Sequence, residues 1–308
     1  MRQVVTGGAG FLGAALANRL AADGHDVHVV DDLSTGDSTA LDHRVTFHEG
    51  DVRDVHLLWK LLTDVDIVYH LAARVSVPES VLYPVDYNAV NTGGTVSLMT
   101  AARDVGVRRV VLASSGAVYG DQRRQPISET AAPRPTSPYA VSKLAAEWYV
   151  RAIGDLYRIE TVVLRVFNAY GPGQRVPDAH PPVIPAFARK ITTGASVVLH
   201  GDPPGGQTRD FVYVDDVVGA MRRAGETGGL SGATLNIGSG VETRVDTVVD
   251  VLEDVTGREA RRLPSPEQSG GVSRMCADIR AARDALDWAP RVPLRDGLAR
   301  LAEHIAPR

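Results

Sequence analysis

Short runs of apolar, mostly β-branched residues alternate along this chain with longer segments whose apolar positions recur at helical spacing. The short runs predict strands, and the longer segments predict helices that bury one face. The predicted strands are Val4–Val5, Val27–Val30, Val45–Phe47, Ile67–His70, Val110–Ala113 and Thr161–Val166. The predicted helices are 11–23, 54–63, 80–105 and 138–157. Because parallel strands need crossover connections, this alternation predicts an α/β fold with a doubly wound parallel sheet.

The pattern changes after Asn168. Gly171-Pro172-Gly173 and the proline-rich 177–185 predict loops, and the elements that follow are shorter. The segments that predict returns to the sheet are Phe211–Val214, a helix over 215–226, and Thr234–Ile237. We therefore expect a dinucleotide domain of residues 1–168 with returns near 211–240, and a smaller, interleaved C-terminal α/β substrate lobe of residues 169–210 and 241–308.

Composition narrows the classes of protein to consider. The chain has 308 residues, 44% of them hydrophobic, and a net charge of -4, which disfavours a nucleic-acid partner. A single cysteine, Cys276, leaves no internal disulfide, zinc-thiolate site or Cys-X-X-Cys pair. The N-terminal residues lack a signal-peptide pattern, and no run approaches the roughly 18 apolar residues of a membrane span. We expect a cytoplasmic protein with no membrane contact and no metal.

A glycine-rich turn joins the first predicted strand to the first predicted helix. Gly7, Gly10 and Gly13 occupy its first, fourth and seventh positions, with Phe11 and Leu12 between the last two. Such glycines allow a tight turn, close approach of the backbone to a pyrophosphate, and close packing of helix on strand. Their placement between a strand and a helix predicts a Rossmann-like dinucleotide site rather than an unliganded turn.

Asp31 ends the second predicted strand, at the position where an acid accepts hydrogen bonds from ribose hydroxyls. Its carboxylate would repel the additional phosphate of NADP. The cofactor is therefore predicted to be NAD.

Tyr139 and Lys143 are four residues apart on a helix predicted to begin near Ser137, so their side chains share one face. The ammonium is expected to lower the pKa of the phenol and to favour its action as a proton acceptor. Ser115 follows the fifth strand, where residues face the ligand crevice, and is expected to hydrogen-bond the hydroxyl that Tyr139 deprotonates. Ser114 is interpreted as structural. The pair alone is common on ordinary helices, and Ser115 strengthens the catalytic interpretation.

Taken together, these residues resemble the extended short-chain dehydrogenase/reductases, and within them the NAD-dependent nucleotide-sugar epimerases and dehydratases of the UDP-glucose 4-epimerase type. Further matching stretches are Gly50–Asp54, His70–Ala73, Asn91–Thr95, Arg165–Asn168 and Gln207–Asp216. The resemblance runs over essentially the whole chain.

The resemblance implies a set of binding residues. It places Asp51 and Val52 along the adenine, and Leu71, Ala72 and Ala73 beneath the cofactor. The other cofactor contacts it implies are Asp32, Ser34, Thr35, Gly36, Asn91 and Phe167. Contacts with the substrate are expected from Val75, Ser76, Asn168, Val183, Arg209 and Arg274, besides Ser115 and Tyr139. The two arginines suit a diphosphate because a guanidinium offers two parallel donors; the alternative for each is a surface ion pair.

The chemistry is inferred from the neighbours of Ser115. The family's dehydratases carry an acid pair shortly after the catalytic hydroxyl, where this chain has Gly116 and Ala117. The resemblance therefore implies inversion at C4 of a nucleotide-linked hexose through a transient 4-keto sugar, with NAD retained throughout. A 4,6-dehydratase and a non-catalytic dinucleotide sensor remain alternatives, and the nucleotide is left open among UDP, dTDP and GDP. The resemblance also implies a homodimer formed through the helices near 80–105 and 138–157.

Overall fold

The computed structural model describes residues 1–201, 203–265 and 272–305. Strands in this part of the chain are β1 (Arg2–Thr6), β2 (Asp26–Asp31), β3 (Thr46–Glu49), β4 (Ile67–His70), β5 (Arg109–Ser115), β6 (Glu160–Val166), β7 (Asn168–Tyr170), β8 (Val197–His200), β9 (Thr208–Arg209), β10 (Phe211–Tyr213), β11 (Ala233–Ile237), β12 (Thr243–Arg244) and β13 (Arg262–Ser265). The α-helices are α1 (Phe11–Ala22), α2 (Val55–Leu62), α3 (Val77–Leu82), α4 (Pro84–Tyr87), α5 (Gly94–Val105), α6 (Pro138–Tyr157), α7 (Val183–Thr193), α8 (Val214–Glu226), α9 (Val245–Thr256), α10 (Arg280–Leu286) and α11 (Leu294–Ile305). All six strands predicted before Asn168 are confirmed.

The central sheet has seven parallel strands in the order β11-β6-β5-β4-β1-β2-β3. The chain builds outward from β1 to β3, then crosses to β4 on the other side of β1. In such a sheet the ligand crevice opens at the carboxyl ends of the two strands where the order reverses, here β1 and β4. The predicted doubly wound fold is confirmed.

Alternate residues of the central strands pack against helices on opposite faces of the sheet, as the pleat requires. One face buries Val5 and Val111 with Leu16 and Leu20 of α1 and Met221 of α8. The other buries Val4 and Val110 with Leu58 of α2, Leu98 of α5 and Val150 of α6. The strands therefore read as nearly continuous apolar runs because both faces are covered.

One predicted helix is interrupted. The segment 80–105 was expected to be a single helix, but α3 ends at Leu82 and α4 starts at Pro84, with Tyr83 between them at φ -126° and ψ 56°. A residue before proline is pushed out of the α region, which explains the break. A π-helical segment, Asn88–Gly93, then leads into α5. The prediction of one uninterrupted helix is wrong, and α3 places Val75 and Ser76 at its N-terminal side.

The smaller sheets differ in part from the prediction. β11 joins the central sheet beside β6, as expected for 234–237, but β10 pairs with β7 in a separate two-stranded parallel sheet. The expected return of 211–214 to the central sheet is wrong, because β7 leaves that sheet after β6 and takes β10 as its partner. The remaining small sheets pair β9 with β12 and β8 with β13. The division into two functional lobes stays a prediction.

Among the described residues, no helix combines the length and apolar character needed to cross a membrane.

Candidate active site

The turn between β1 and α1 is built so tightly that Gly7, Gly8 and Gly13 leave no room for a side chain. Gly7 has a φ of +67°, and a Cβ there would lie 2.6 Å from the backbone nitrogen of Ala72. A Cβ on Gly13 would collide with the carbonyl oxygen of Gly7. At Gly10, by contrast, the only described atom within 4 Å of such a Cβ is the same carbonyl oxygen, at 3.2 Å. Gly10 therefore faces open space, where a pyrophosphate can approach the backbone.

Helix α1 begins directly at this opening. Its N-cap is Gly10, and no side chain caps the first turn. Unpaired N–H groups and the positive end of the helix dipole form an anion site. Phe11 and Leu12 are half-buried in this first turn. These features fit the phosphates of a dinucleotide.

Asp31 lies at the carboxyl end of β2, beside the turn. Its carboxylate accepts hydrogen bonds from the backbone nitrogens of Ala9 (3.0 Å) and Leu33 (2.9 Å), and burial raises its pKa. Each oxygen retains a lone pair for a ribose hydroxyl. Gly36 packs closely against this carboxylate. The predicted neighbours Asp32, Ser34 and Thr35 are exposed, and Asp32 accepts from the hydroxyl of Ser34 at 2.6 Å.

The segments expected beside the adenine and beneath the cofactor lie at the ends of β3 and β4. Val52 is buried, whereas the Asp51 carboxylate is paired with Arg53, which lowers its pKa. Leu71 and Ala72 donate from their backbone nitrogens to the Thr6 carbonyl (3.1 Å) and hydroxyl (3.3 Å). Residues 71–73, all half-buried, are thereby held against the glycine turn.

Asn91 is buried in the π-helical segment and fixes a neighbouring loop. Its amide nitrogen donates to the Arg74 carbonyl (3.0 Å) and the Ser142 hydroxyl (2.9 Å), and its oxygen accepts from the Arg74 nitrogen (2.8 Å). This arrangement holds the loop after β4. A direct contact of Asn91 with the cofactor stays a prediction.

Tyr139 and Ser115 come together although they lie on different elements. The first turn of α6 carries Tyr139, and the Ser137 hydroxyl caps that turn by accepting from the Ala140 nitrogen at 3.2 Å. Tyr139 is 8% exposed, and its hydroxyl faces the Ser115 side chain at the end of β5. Burial raises the pKa of Tyr139, and the nearby Ser115 side chain opposes that rise. The expectation that Lys143 lowers the pKa of Tyr139 is therefore wrong, because burial raises this pKa and Ser115 is the group that opposes the rise.

Lys143 lies one helical turn beyond Tyr139 and is 5% exposed. Burial lowers its pKa to about 8, and the nearby Glu147 carboxylate opposes that change. His70, at the end of β4, bonds the hydroxyls of Thr6 (2.7 Å) and Thr95 (2.9 Å) through its two ring nitrogens. Burial, assisted by the charge of Lys143, lowers the pKa of His70 to about 3. The imidazole is therefore neutral, and Lys143 is the cation at this point.

Sequence reasoning missed Glu147 and the neutral state of His70. Glu147 stands four residues after Lys143, which was a usable signal, but its partner Arg165 comes from β6 and could not be assigned from spacing alone. Ser114 donates to Glu147 at 2.5 Å, in keeping with its structural interpretation.

The predicted diphosphate residues gather where β6 leaves the central sheet. Phe167 covers Gly116, and Asn168 donates its backbone nitrogen to the Asp210 carbonyl at 3.0 Å. Arg209 follows nearby on β9, where its guanidinium donates to the Thr208 carbonyl (2.8 Å) and the Gln207 side chain (3.2 Å). Burial lowers the pKa of Arg209, and no carboxylate in the described part of the chain forms an ion pair with it. Arg209 is thus a cation available to an anionic ligand.

Arg274 has a different environment. Its guanidinium donates to both Glu242 oxygens at 2.7 Å, and the pair holds the pKa of Glu242 at about 2. Glu242 also accepts from Thr208, which brings Arg274 close to Arg209. The surface ion pair considered from the sequence is therefore present at Arg274.

The other expected substrate residues lie at helix starts. Val75 is exposed, Ser76 caps α3 by accepting from the Glu79 nitrogen at 3.3 Å, and Val183 is the exposed first residue of α7. Their contact with a substrate stays a prediction.

Comparisons with known proteins agree over nearly the full length. The model of the NAD dependent epimerase/dehydratase family matches residues 3–238. A UDP-glucose 4-epimerase of Mycolicibacterium smegmatis is 38% identical and is matched over 98% of both chains. The crystal structure of a Thermotoga maritima UDP-glucose 4-epimerase with UDP-glucose has a TM-score of 0.94 at 34% identity, covering 99% of this chain and 98% of that one. A Thermus thermophilus UDP-glucose 4-epimerase in complex with NAD has a TM-score of 0.92 at 34% identity, with 99% of both chains covered.

Proposed function

The chain belongs to the NAD-dependent epimerase/dehydratase family, and from that premise we propose that it inverts C4 of a UDP-hexose, with UDP-glucose and UDP-galactose as the interconverted pair. At the coarser level it is an NAD-dependent nucleotide-sugar epimerase. The relatives named above support UDP-glucose and UDP-galactose as the substrates. The residue roles given below are part of the proposal.

The observation that carries the proposal is the meeting of Ser115 and Tyr139 from different elements, beside the charged Lys143 and the crevice at the ends of β1 and β4. When bound, NAD would supply the acceptor and then the donor of the hydride at C4 of the sugar. Tyr139 accepts the proton of the C4 hydroxyl and gives it back after the sugar has turned. Ser115 orients that hydroxyl, and the Lys143 ammonium stabilises the phenolate electrostatically.

The diphosphate must stay fixed while the sugar turns. Arg209 suits this task because it is a half-buried guanidinium whose described hydrogen bonds go only to neutral acceptors. Asn168 follows the last residue of β6 by two positions. Because β6 is parallel to β5, Asn168 lies at the same end of the central sheet as Ser115. An anchored diphosphate with a less constrained sugar allows both faces of C4 to be presented in turn.

The surroundings of Ser115 disfavour elimination of water. Gly116 lies beneath the Phe167 ring, and the Ala117 backbone nitrogen donates to Ser115 at 3.1 Å. Glu147 is the carboxylate whose charge affects the pKa of Lys143. Both of its oxygens accept hydrogen bonds from Arg165, so it is not free to serve as the acid or base of an elimination. A dehydratase needs a separate acid and base, which these neighbours do not supply.

Incubation with UDP-, dTDP- and GDP-hexoses, followed by proton NMR without added reductant, tests the proposal. We expect UDP-glucose and UDP-galactose to equilibrate with each other. The N-acetylated UDP-hexoses and UDP-glucuronate serve as further arms that define the sugar pocket. An accumulating 4-keto-6-deoxy sugar would instead identify a dehydratase, and binding of NAD without turnover of any sugar would identify a sensor.

A paired substitution tests the proposed base. Replacing Tyr139 by Phe removes the proton acceptor and should lower kcat by roughly a thousandfold. Tyr87→Phe is a matched control, because the Tyr87 ring packs edge-on against Tyr139 with centroids 6.4 Å apart while its hydroxyl binds Glu79. Equal kcat values for the two variants would refute the assignment of Tyr139.

We also propose that the protein is a homodimer formed through α3, α4 and α6. Large apolar side chains are exposed together on these helices, namely Val81, Leu82, Tyr83, Val85, Val141, Trp148 and Tyr149. An apolar patch of this kind is typical of a protein interface. Trp148→Glu should produce a monomer in sedimentation experiments, whereas Val241→Glu, at an exposed apolar residue elsewhere, should not. A monomeric unsubstituted protein would refute this proposal.

A further inference from the structure

Three buried charges form a row behind the proposed catalytic pair. Lys143 and Glu147 lie one turn apart on α6, and Arg165 lies on β6. Lys143 and Arg165 are each 5% exposed, and Glu147 is 1% exposed. Charged side chains are seldom buried so completely unless they are paired. Glu147 is the anion of this row, since it is bonded to Arg165 and lies one helical turn from Lys143.

The Glu147 carboxylate is held firmly. Arg165 donates to its two oxygens, from Nε at 3.0 Å and from Nη2 at 2.7 Å, and the Ser114 hydroxyl donates at 2.5 Å. The Arg165 guanidinium in turn lies over the Tyr119 ring, 4.7 Å from its centroid. A bidentate contact between buried groups fixes both position and orientation.

Lys143 faces few other titratable groups. His70 approaches it from β4 and is neutral, while Tyr139 lies one turn away on the same helix with a pKa raised by burial. Ser114 and Ser115 on β5, and Asn91 of the π-helical segment, are uncharged. Glu147 is therefore the carboxylate whose charge favours the ammonium form of Lys143 among the described residues.

We propose that Glu147 is a positioning residue that keeps Lys143 charged, and that Arg165 limits how much of the Glu147 charge reaches Lys143. This inference rests on the proposed role of Lys143 beside Tyr139. In this proposal Glu147 contacts neither substrate nor cofactor, and it acts only by stabilising the charge of the Lys143 ammonium.

The row predicts opposite effects on Lys143 for the loss of Glu147 and the loss of Arg165. Without the Glu147 carboxylate, two cations remain in a buried region, and an arginine does not lose its proton under protein conditions. Lys143 is then the group that discharges. Without the Arg165 guanidinium, the carboxylate is left with Lys143 as its cationic neighbour, so the ammonium is stabilised. A merely structural ion pair would not give shifts of opposite sign.

The chain contains only three lysines, Lys60, Lys143 and Lys190, so the titration of Lys143 can be followed directly. Carbon NMR of protein labelled at the lysine ε-carbon, with NAD bound, gives each amine pKa, and Lys60→Arg and Lys190→Arg assign the signals. We expect Glu147→Gln to lower the Lys143 pKa by roughly one to two units and Arg165→Met to raise it. Glu147→Asp, which retains the negative charge, should keep the Lys143 pKa close to its value in the unsubstituted protein.

The alkaline limb of kcat against pH is the second readout. It should move to lower pH in Glu147→Gln and to higher pH in Arg165→Met. If the Lys143 pKa moves as expected while this limb stays in place, the proposed role of Lys143 fails and the link to Glu147 stands.

Breaking a buried ion pair can prevent folding, so a third variant is included. The double variant Glu147→Gln/Arg165→Met removes the pair as a whole and leaves no unpaired partner. It should fold, with a Lys143 pKa below that of the unsubstituted protein. An unchanged Lys143 pKa in any folded variant without a carboxylate at position 147 would overturn the inference.

Discussion

The proposed dinucleotide half of the site is built mainly from backbone, whereas the proposed substrate half is built from side chains. Gly7, Gly10 and Gly13 present peptide groups; Gly7 and Gly13 leave no room for side-chain atoms, while Gly10 faces open space. Arg209 and Arg274 reach their positions on short strands and loops outside the central sheet. A backbone site depends on the fold itself, so its failure should be all or none. A site formed by side chains should lose affinity in steps, one residue at a time. Four predictions test this difference.

The largest effect is expected at Gly13. A Cβ there collides with backbone atoms of Gly7 and lies 2.7 Å from the Cα of Gly8, and neither can move without opening the turn. Gly13→Ala should reduce the free energy of unfolding by about 3 kcal/mol or more and abolish NAD binding. In Gly10→Ala the fold should remain intact while NAD affinity falls at least about tenfold, because only the ligand's approach is obstructed.

Thermal unfolding and the NAD content of the purified variants separate these two cases. An unchanged melting temperature in Gly13→Ala would mean that the turn yields more easily than its contacts indicate. Equal loss of stability in both variants would contradict the proposal that Gly13 serves packing whereas Gly10 faces the ligand.

On the substrate side, Arg209 and Arg274 should differ. Arg209 has no carboxylate partner among the described residues, whereas Glu242 already binds Arg274. Arg209→Met should raise KM for the nucleotide sugar roughly a hundredfold, as loss of a charge-assisted contact implies, and Arg274→Met less than about tenfold. Arg209→Met should not lower the melting temperature, because it removes a half-buried unpaired cation. A larger KM effect at Arg274 would reverse this ranking.

What the sequence predicted follows the same division between backbone and side chains. The strands before Asn168, the Ser137 cap and the meeting of Ser115 with Tyr139 follow from local periodicity and from the rule that parallel strands end at one edge. The break at Tyr83 was missed because the apolar spacing continues through it, although Pro84 disfavours a helical residue before it.

Long-range pairing could not be derived from spacing. The partner of β10 is β7, which is remote in sequence, and the Glu147–Arg165 pair joins a helix to a strand. Likewise, the sequence expectation that Lys143 lowers the Tyr139 pKa counted one neighbour and omitted burial, which has the larger effect. Burial of a polar group is a property of the packed molecule, so sequence patterns alone did not give its sign.

The third prediction concerns His70, which joins β1 to α5 behind the glycine turn. Its pKa is about 3 in the folded protein and about 6.5 when the chain is unfolded, so only the unfolded chain takes up a proton between these values. Stability should therefore fall as pH drops below about 6.5, by about 2 kcal/mol at pH 5 from this group alone. His70→Gln should flatten the dependence of unfolding free energy on pH over this range.

The exposed His43 provides the control, since His43→Gln should leave the slope as it is in the unsubstituted protein. Denaturant unfolding at pH 7.5, 6 and 5 measures all three proteins. Parallel curves for His70→Gln and the unsubstituted protein would show that the imidazole is not held neutral.

The smallest effect is expected from Asp31, the side chain predicted to bind the ribose in the dinucleotide half of the site. Asp31 accepts from the Ala9 and Leu33 nitrogens and is nearly buried, whereas Asp32 is exposed and bonds the Ser34 hydroxyl. Asp31→Asn removes a charged acceptor for the ribose hydroxyls and should weaken NAD binding by about tenfold, while NADP binding weakens less because the repelling charge is gone. Asp32→Asn should change either affinity by less than about twofold, since an exposed hydrogen bond is readily replaced by water. Calorimetric titration of the NAD-free variants measures both ligands. If the two asparagine variants lose NAD affinity equally, selection of the cofactor does not reside in Asp31, and the dinucleotide half is determined by its backbone alone.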